Sequence, residues 1–146
     1  MTAPPCNFME LMKRIHDALV KKANHDLLRY GVTASQLHML IALGVERERG
    51  TEAVKLKDLE RCFGVAQSTA AGIAARLEKR GLVSSFTDDG DKRVKLIRIT
   101  PAGQEICRAA RESVEDTHRR FLSCLSPQEE EELTRLLEKV YYALKS

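Results

Sequence analysis

Residues 64–83, GVAQSTAAGIAARLEKRGLV, decide the fold of this chain. Within them the stretch 66–81 carries apolar residues on one helical face and ends in glycine, which predicts a helix. The preceding stretch, 55–63, also has its apolar residues on one face and stops before Gly64. Two helices joined by a turn of only a few residues are typical of a helix-turn-helix.

The spacing of the apolar residues changes from a helical to a strand-like pattern directly after these two helices. Residues 82–86, LVSSF, and 94–99, VKLIRI, are short segments rich in branched and apolar residues, which is typical of strands. The polar stretch between them, TDDGDKR at 87–93, indicates a turn around Asp89 and Gly90. A β-hairpin that follows a helix-turn-helix in this way is predicted to form a wing.

Long amphipathic helices are predicted on both sides of this motif. TASQ at 33–36 and SPQE at 126–129 have the spacing of capping boxes, and each precedes an apolar helical stripe. The predicted fold class is therefore mainly α with a small β-hairpin wing, and a second copy of the chain would cover the apolar stripes. We expect one domain, 1–146, with a winged helix-turn-helix lobe at about 33–100 and dimerisation helices at about 7–30 and 102–146.

The composition is that of a globular, mainly helical protein. Of the 146 residues, 43% are hydrophobic, 31% are charged and only 5% are aromatic. The formal net charge of +3 is too small to identify a nucleic-acid partner by itself. Its distribution is more informative, because residues 66–98 hold seven basic and four acidic side chains, whereas residues 126–146 hold three basic and five acidic ones. The centre of the chain therefore offers a local surface for an anion.

The spacing of the cysteines and the length of the apolar runs indicate the cellular compartment of the protein. Cys6, Cys62, Cys107 and Cys124 are spread along the chain without C-x-x-C spacing, so a disulfide framework is not expected. The start, MTAPPCNFMELMKR, does not have the pattern of a signal peptide, and no apolar run reaches the roughly 18 residues of a membrane helix. We therefore expect a cytoplasmic protein in which the last three cysteines are small core or interface residues.

Taken together, these segments resemble the MarR family of winged helix-turn-helix transcriptional regulators. The similarity extends over nearly the whole chain and is carried by GVTASQLHML at 31–40, GVAQSTAAGIAARLEKRGLV at 64–83, DKR at 91–93 and ITPAG at 99–103. The resemblance implies a homodimer, held by its first and last helices, that binds an inverted-repeat operator in double-stranded DNA as a repressor. It also implies release from DNA by a small aromatic or anionic effector.

The resemblance further implies which residues contact DNA. The second helix of the motif would enter the major groove, where Gln67 can pair with adenine and Ser68 and Thr69 can contact bases or phosphates. Arg93 matches the wing arginine that enters the minor groove, and Asp91 matches the acid that orients it. Residues two apart share one face of a hairpin, so these two can pair. Further contacts are expected from Lys92, Lys95 and Arg76, the last of which could instead pair within the lobe.

Positions 71 and 72 depart from the family pattern, which usually places a polar and a basic residue there, facing the groove. This chain has Ala71 and Gly72, and a glycine inside a helix costs about 1 kcal/mol relative to alanine. Base readout is therefore expected to be weaker or to depend more on DNA shape. Gly72 either lets the helix approach the groove more closely or reflects low specificity, and the sequence leaves both interpretations open.

The resemblance places an effector pocket between the dimerisation helices and the winged lobe. Arg14, His16, His38 and Arg111 could meet an anion there. The four histidines are scattered along the chain, so no metal site is expected. The chain has no G-x-S-x-G, no phosphate-binding glycine loop and no H-E-x-x-H, so neither enzymatic activity nor a cofactor is expected.

Two alternatives remain open from the sequence. Cys6 lies just before the first helix, close to where peroxide-responsive relatives carry a reactive cysteine, so the chain could be a redox-sensing regulator. The second alternative is a protein-interaction module that has kept dimerisation but binds DNA weakly. The Ala71-Gly72 pair favours this interpretation, whereas Arg93 and the basic stretch around it oppose it.

Overall fold

The computed structural model describes residues 7–63 and 67–145, and at residues 63, 67 and 68 it describes the backbone only. Within this part, helices surround a small antiparallel sheet, and the predicted winged helix-turn-helix is confirmed. None of these helices combines the length and apolar character that crossing a bilayer requires. The helices and strands have these bounds: α1 Phe8–Leu27, a 3-10 turn at Leu28–Tyr30, α2 Ala34–Glu48, β1 Val54–Lys55, α3 Leu56–Phe63, α4 Gln67–Lys79, β2 Val83–Thr87, β3 Lys95–Ile99, α5 Pro101–Leu122 and α6 Pro127–Lys145.

Two helices begin at the capping boxes that the sequence predicts. Before α2, the Thr33 hydroxyl accepts a hydrogen bond from the Gln36 N–H at 3.2 Å, and the Gln36 side-chain oxygen accepts one from the Thr33 N–H at 3.1 Å. Ser126 and Glu129 form the same reciprocal pair before α6, at 3.1 and 3.0 Å. These bonds satisfy backbone donors that the first turn of a helix leaves unpaired.

The sheet contains a strand that the sequence pattern does not predict. Strands β2 and β3 pair antiparallel, with Val83 opposite Ile99, and β1 adds to the other side of β3 to give the order β1-β3-β2. In β1, Val54 lies opposite Ile97. A strand of two residues is too short to show period-two alternation, so only its pairing with β3 reveals it. This pairing places the start of α3 beside the wing.

The chain divides into two compact units, residues 1–113 and 114–146. The first contains the winged lobe, α1 and the first part of α5, and the second contains the rest of α5 and α6. No described residue of the second unit is buried. That residues 1–146 act as one domain stays a prediction. The larger side chains in the core of the first unit are Leu27, Val32, Leu37, Met39, Leu40, Leu43, Leu56, Leu59, Ile73, Leu77, Leu82, Val83, Ile97 and Ile99.

Two helices carry apolar side chains that stay open to solvent. We call them the α1 apolar face and the α6 apolar face. Exposed apolar side chains gathered on one face of a helix are typical of an interaction surface. The α1 apolar face consists of Phe8, Leu11, Met12 and Ile15, and the α6 apolar face of Leu133, Leu136, Leu137, Val140, Tyr141 and Leu144.

The cysteines differ in part from expectation. Cys62 and Cys124 are exposed, so neither is a core residue of its unit, although a place in an interface stays a prediction. In α3 the buried face consists of Leu56 and Leu59, and Cys62 in the last turn lies outside it. Cys107 on α5 is half-buried, and this burial raises the pKa of its thiol.

Candidate nucleic-acid interface

Helix α4 has one face packed in the lobe and one face open to solvent. Packing of the first face against the lobe fixes the position of the helix. Thr69 and Arg76 are both exposed, and within the described residues Arg76 forms no hydrogen bond or ion pair, so both are free to contact a ligand. The predicted readers Gln67 and Ser68 have side chains outside the described part. The buried face consists of Ala70, Ile73, Ala74 and Leu77, and the open face includes Thr69, Gly72, Arg76 and Lys79.

Gly72 interrupts the open face of α4 without a packing reason. A Cβ built on this residue would meet no atom within 4 Å outside the backbone of its own helix. Its backbone conformation does not require glycine either, because positive φ values in the described chain occur at Gly31, Gly50 and Gly81. The cost of a glycine inside a helix is therefore not offset by packing or by a turn. The open face of α4 consequently carries no side chain at this point.

The wing loop between β2 and β3 is ordered by its own polar groups. The Asp88 carboxylate accepts hydrogen bonds from the N–H groups of Gly90 and Asp91, both at 3.2 Å. The Asp88 N–H donates to the Val94 carbonyl at 3.0 Å, which closes the loop. Aspartate is favoured in turns because its side chain can bond to the backbone ahead of it. The loop thus holds a definite shape while it stays exposed to solvent.

Asp91 holds Arg93 in a fixed orientation at this loop. One Asp91 oxygen accepts from the Arg93 N–H at 3.0 Å and from Nε at 3.1 Å, and the other accepts from Nη2 at 3.3 Å. These hydrogen bonds lower the pKa of Asp91. The Arg93 side chain is 91% exposed, so it remains available to a ligand. The two residues lie in a turn and not on a pleated face, so the geometric reason given by the sequence analysis is wrong although the pair forms.

A groove of about 670 Å³ runs between the wing and α3. Three acidic side chains also line it, Asp58, Glu60 and Asp91, but basic groups are in excess. Exposed lysine and arginine side chains around a groove suit a phosphate backbone. Arg61 belongs to this set only because the β1–β3 pairing brings α3 next to the wing, so the sequence analysis missed it. The basic residues of the groove are Lys55, Lys57, Arg61, Arg93 and Lys95.

Glu78 fastens the wing to α4. The Ser85 hydroxyl donates to one Glu78 oxygen at 2.5 Å, and the Ser85 N–H donates to the other at 3.4 Å. The side-chain bond from Ser85 is the main cause that lowers the pKa of Glu78, and nearby Lys95 lowers it further. The two elements that would contact DNA are therefore linked directly. Sequence reasoning missed this contact because the residues belong to different secondary-structure elements.

The other predicted site residues are found at the following places. Lys92 and Lys95 are exposed, in the wing loop and at the start of β3. Of the predicted effector residues, Arg14 and His16 lie on α1, His38 on α2 and Arg111 on α5, and all four are exposed residues of the first unit. Arg14 pairs with Glu10 of its own helix at 2.7 Å. None of the four lines the groove beside the wing, and their common role stays a prediction.

The described residues add no support for redox sensing or for a metal site. Cys6 lies outside the described part, so its predicted reactivity stays a prediction. Within residues 7–63 and 67–145, no group of three or more histidine, cysteine, aspartate or glutamate side chains is arranged to hold a metal ion.

Comparison with known sequences identifies regulators. A sequence model of the MarR family matches residues 30–94. The uncharacterized HTH-type transcriptional regulator YxaD of Bacillus subtilis (strain 168) is 31% identical over 86 residues, which is 59% of this chain and 60% of that protein. The transcriptional regulator HosA of Escherichia coli O157:H7 is 35% identical over 74 residues, 51% of this chain and 55% of that protein. The transcriptional repressor MprA of Escherichia coli (strain K12) is 24% identical over 130 residues, 89% and 72% of the two chains. The chain thus spans less than two thirds of the first two relatives.

Solved structures agree in fold over nearly the whole chain. The MepR–DNA complex of S. aureus superimposes with a TM-score of 0.84 at 22% identity, covering 95% of this chain and 99% of that one. CouR from Rhodococcus jostii RHA1, bound to p-coumaroyl-CoA, gives 0.78 at 21% identity, with 92% and 91% covered. The two comparisons agree: residues 30–94 are similar to the MarR family, and the chain shares the winged-helix fold of these solved structures.

Proposed function

We propose that this protein binds an inverted repeat in double-stranded DNA as a homodimer and represses transcription until a small-molecule effector releases it. The observation that carries the proposal is the wing: Arg93 is almost fully exposed, is oriented by Asp91 and stands beside a groove lined by basic residues. An exposed, ordered arginine on a narrow loop fits the minor groove of duplex DNA, where negative potential is concentrated. Duplex DNA as the partner implies action in the cytoplasm.

Binding divides into base contacts and phosphate contacts. The start of α4 enters the major groove, where Gln67, Ser68 and Thr69 meet the base edges. Arg93 enters the adjacent minor groove and senses its width. The phosphate contacts position the protein without specifying sequence, and they come from Lys92, Lys95 and Arg76. Exposure of these basic side chains supports the assignment.

Dimerisation is supported by the two apolar faces. The α1 apolar face and the α6 apolar face each leave large side chains in solvent within their own unit. Two copies related by a two-fold axis would cover these faces and present two winged lobes to an inverted repeat. The half-sites would then lie about one helical turn apart.

Repression and effector release rest on the relatives. MprA is named as a repressor, and the CouR structure holds an aromatic acyl-CoA. For this chain we propose a small aromatic or anionic effector that contacts Arg14, His16, His38 or Arg111. A cationic or imidazole side chain can bind a carboxylate directly, which makes these residue types suitable.

The test is selection of random duplex DNA by the purified protein at about physiological salt. We expect enrichment of an inverted repeat with half-site centres about 10 base pairs apart. The enriched duplex then serves as the probe for release by a panel of aromatic carboxylates, with Arg111→Ala as the comparison protein. Absence of any bound DNA would overturn the proposal. If the protein binds DNA without enriching any sequence, and its affinity falls steeply as the salt concentration rises, the protein recognises charge and shape and not a specific sequence.

A further inference from the structure

We infer that Arg80 is a positioning residue that couples the orientation of α4 to the 3-10 turn that directly follows α1. Arg80 follows the last residue of α4, and its guanidinium crosses to the segment between α1 and α2. One terminal nitrogen donates to the Gly31 carbonyl at 2.6 Å, and the other donates to the Tyr30 carbonyl at 3.1 Å.

The chemistry of this contact requires arginine. The carbonyls of Tyr30 and Gly31 lie at the C-terminal end of the 3-10 turn, where backbone oxygens lack helical partners and carry partial negative charge. A planar guanidinium can bond to two of them at once, whereas a lysine ammonium presents a single point charge. Gly31 has a φ of 69° and lies so close that an added Cβ would stand 3.0 Å from the guanidinium. The Arg80 guanidinium and Gly31 are therefore in close contact.

The residues that follow Arg80 are fixed to a second helix. The Thr100 hydroxyl donates to the Gly81 carbonyl at 2.6 Å and accepts from the Gly103 N–H at 3.1 Å. A Cβ on Gly103 would overlap the Leu82 carbonyl, so the start of α5 packs directly on this turn. The short turn after α4 is thus held on one side by the 3-10 turn and Gly31, through Arg80, and on the other side by α5. Glu78, one turn earlier, connects it to the wing.

This arrangement has a consequence for operator binding, which rests on the proposed function. In a dimer held through α1, the two copies of α4 can reach two half-sites only if each keeps a fixed angle to its own α1. The hydrogen bonds of Arg80 join the end of α4 to the 3-10 turn and Gly31, which directly follow α1. Packing of its buried face keeps α4 in the lobe, so loss of Arg80 should not unfold the lobe but should widen the range of angles that the end of α4 adopts.

The experiment measures affinity for a spacing series. The inverted repeat enriched by selection is rebuilt with its half-sites moved by one and by two base pairs in each direction. Two base pairs shift a half-site by about 7 Å and rotate it by about 70°. The proteins compared are the full chain, Arg80→Ala, Arg80→Lys and Arg108→Ala, a charge-matched control whose guanidinium bonds only to Glu105 and Glu112 of its own helix.

We expect the unmodified protein and Arg108→Ala to lose about tenfold in affinity over two base pairs, and Arg80→Ala less than about threefold, with Arg80→Lys between them. If the substitution only destabilised the lobe and left α4 rigidly oriented, affinity would fall equally at every spacing. The shape of the curve of affinity against half-site spacing therefore distinguishes a loss of orientation from a loss of stability. An unchanged profile in Arg80→Ala would overturn the inference while leaving DNA binding intact. If the unmodified protein bound no repeat at all, the proposed function would fail first.

Discussion

The winged lobe and helix α6 have similar amphipathic sequences, yet their apolar side chains have different surroundings. Leu77 on α4 is completely buried, whereas Leu137 on α6 is 40% exposed within its unit. An apolar helical stripe is thus covered by the chain itself in one region and left open in the other. The difference indicates that the lobe is stabilised by its own core, whereas α6 needs a second surface to bury its stripe.

The strongest test of the lobe is Leu77→Ala. Removal of a fully buried leucine side chain leaves a cavity, and we expect the free energy of unfolding to fall by about 2–5 kcal/mol. Chemical denaturation at several protein concentrations measures the change. The neighbouring exposed Arg76→Ala should stay within about 0.5 kcal/mol of the unmodified protein. Equal effects of the two substitutions would contradict an independent lobe core.

The corresponding test of α6 is Leu137→Glu. A charge in the centre of the α6 apolar face would be buried twice in a two-fold dimer, so we expect the dimer dissociation constant to rise roughly 100-fold or more. Sedimentation equilibrium measures the constant. Glu138→Gln, on the next residue of the same helix, should leave it unchanged. A Leu137→Glu protein that remained a tight dimer would show that this face is not the interface.

Within the lobe, Arg93→Ala separates the wing from the rest of the DNA-binding surface. We expect affinity for the selected repeat to fall about tenfold and the preference for A·T pairs beside each half-site to weaken. Lys92→Ala, at the adjacent position, should lower affinity similarly for all DNA sequences. It should also reduce the slope of log affinity against log salt concentration by about one, because one phosphate contact is lost. Binding measured on matched duplexes with A·T or G·C flanks distinguishes the two. Unaltered A·T preference in Arg93→Ala would reject the minor-groove assignment.

Gly72→Ala tests the part of α4 whose open face carries no side chain, and Gly44→Ala on α2 is its matched control. A Cβ at either position would meet nothing within 4 Å, so we expect each substitution to raise the free energy of unfolding by about 0.5–1 kcal/mol. Thermal unfolding measures this gain. We expect only Gly72→Ala to weaken DNA binding, because an added methyl would hold α4 away from the groove. Equal affinity of both variants would favour low specificity as the reason for Gly72.

The smallest expected effect concerns the bond between α4 and the wing. The pKa of Glu78 is lowered in the folded protein, so its ionised form stabilises the fold above the unfolded pKa. This contribution should disappear as the pH falls through the lower folded pKa. We therefore expect Glu78→Gln to lower stability by less than about 1 kcal/mol near neutral pH and to have no effect in acid. Urea unfolding between about pH 3 and 7, a range that includes the titration of carboxylates, measures the difference. In a Ser85→Ala background the difference should become smaller, because the hydroxyl bond is lost while the Ser85 N–H and Lys95 remain.

Local signals in the sequence were sufficient for the order of helices and for the wing. The capping boxes at Thr33 and Ser126 involve residues three apart, and the stripe of α4 follows from its own period, so neither depends on distant contacts. The turn around Asp89 and Gly90 was equally readable. The candidate DNA-binding residues came from the resemblance to a family. The structure adds the Asp91–Arg93 geometry and the exposure of Thr69, Arg76, Lys92, Arg93 and Lys95.

Other features depend on contacts between residues far apart in sequence. The strand β1 exists only as a partner of β3, Arg61 reaches the wing groove only through that pairing, and Arg80 meets Gly31 across 49 positions. The helices, their caps and the hairpin could be predicted from the sequence, because they follow from hydrogen bonds and side-chain periods within a few residues. Which basic groups share one surface, and that Arg80 links the end of α4 to the turn after α1, depends on how distant segments pack. Such contacts form when packed elements bring their ends together, and no local pattern encodes them.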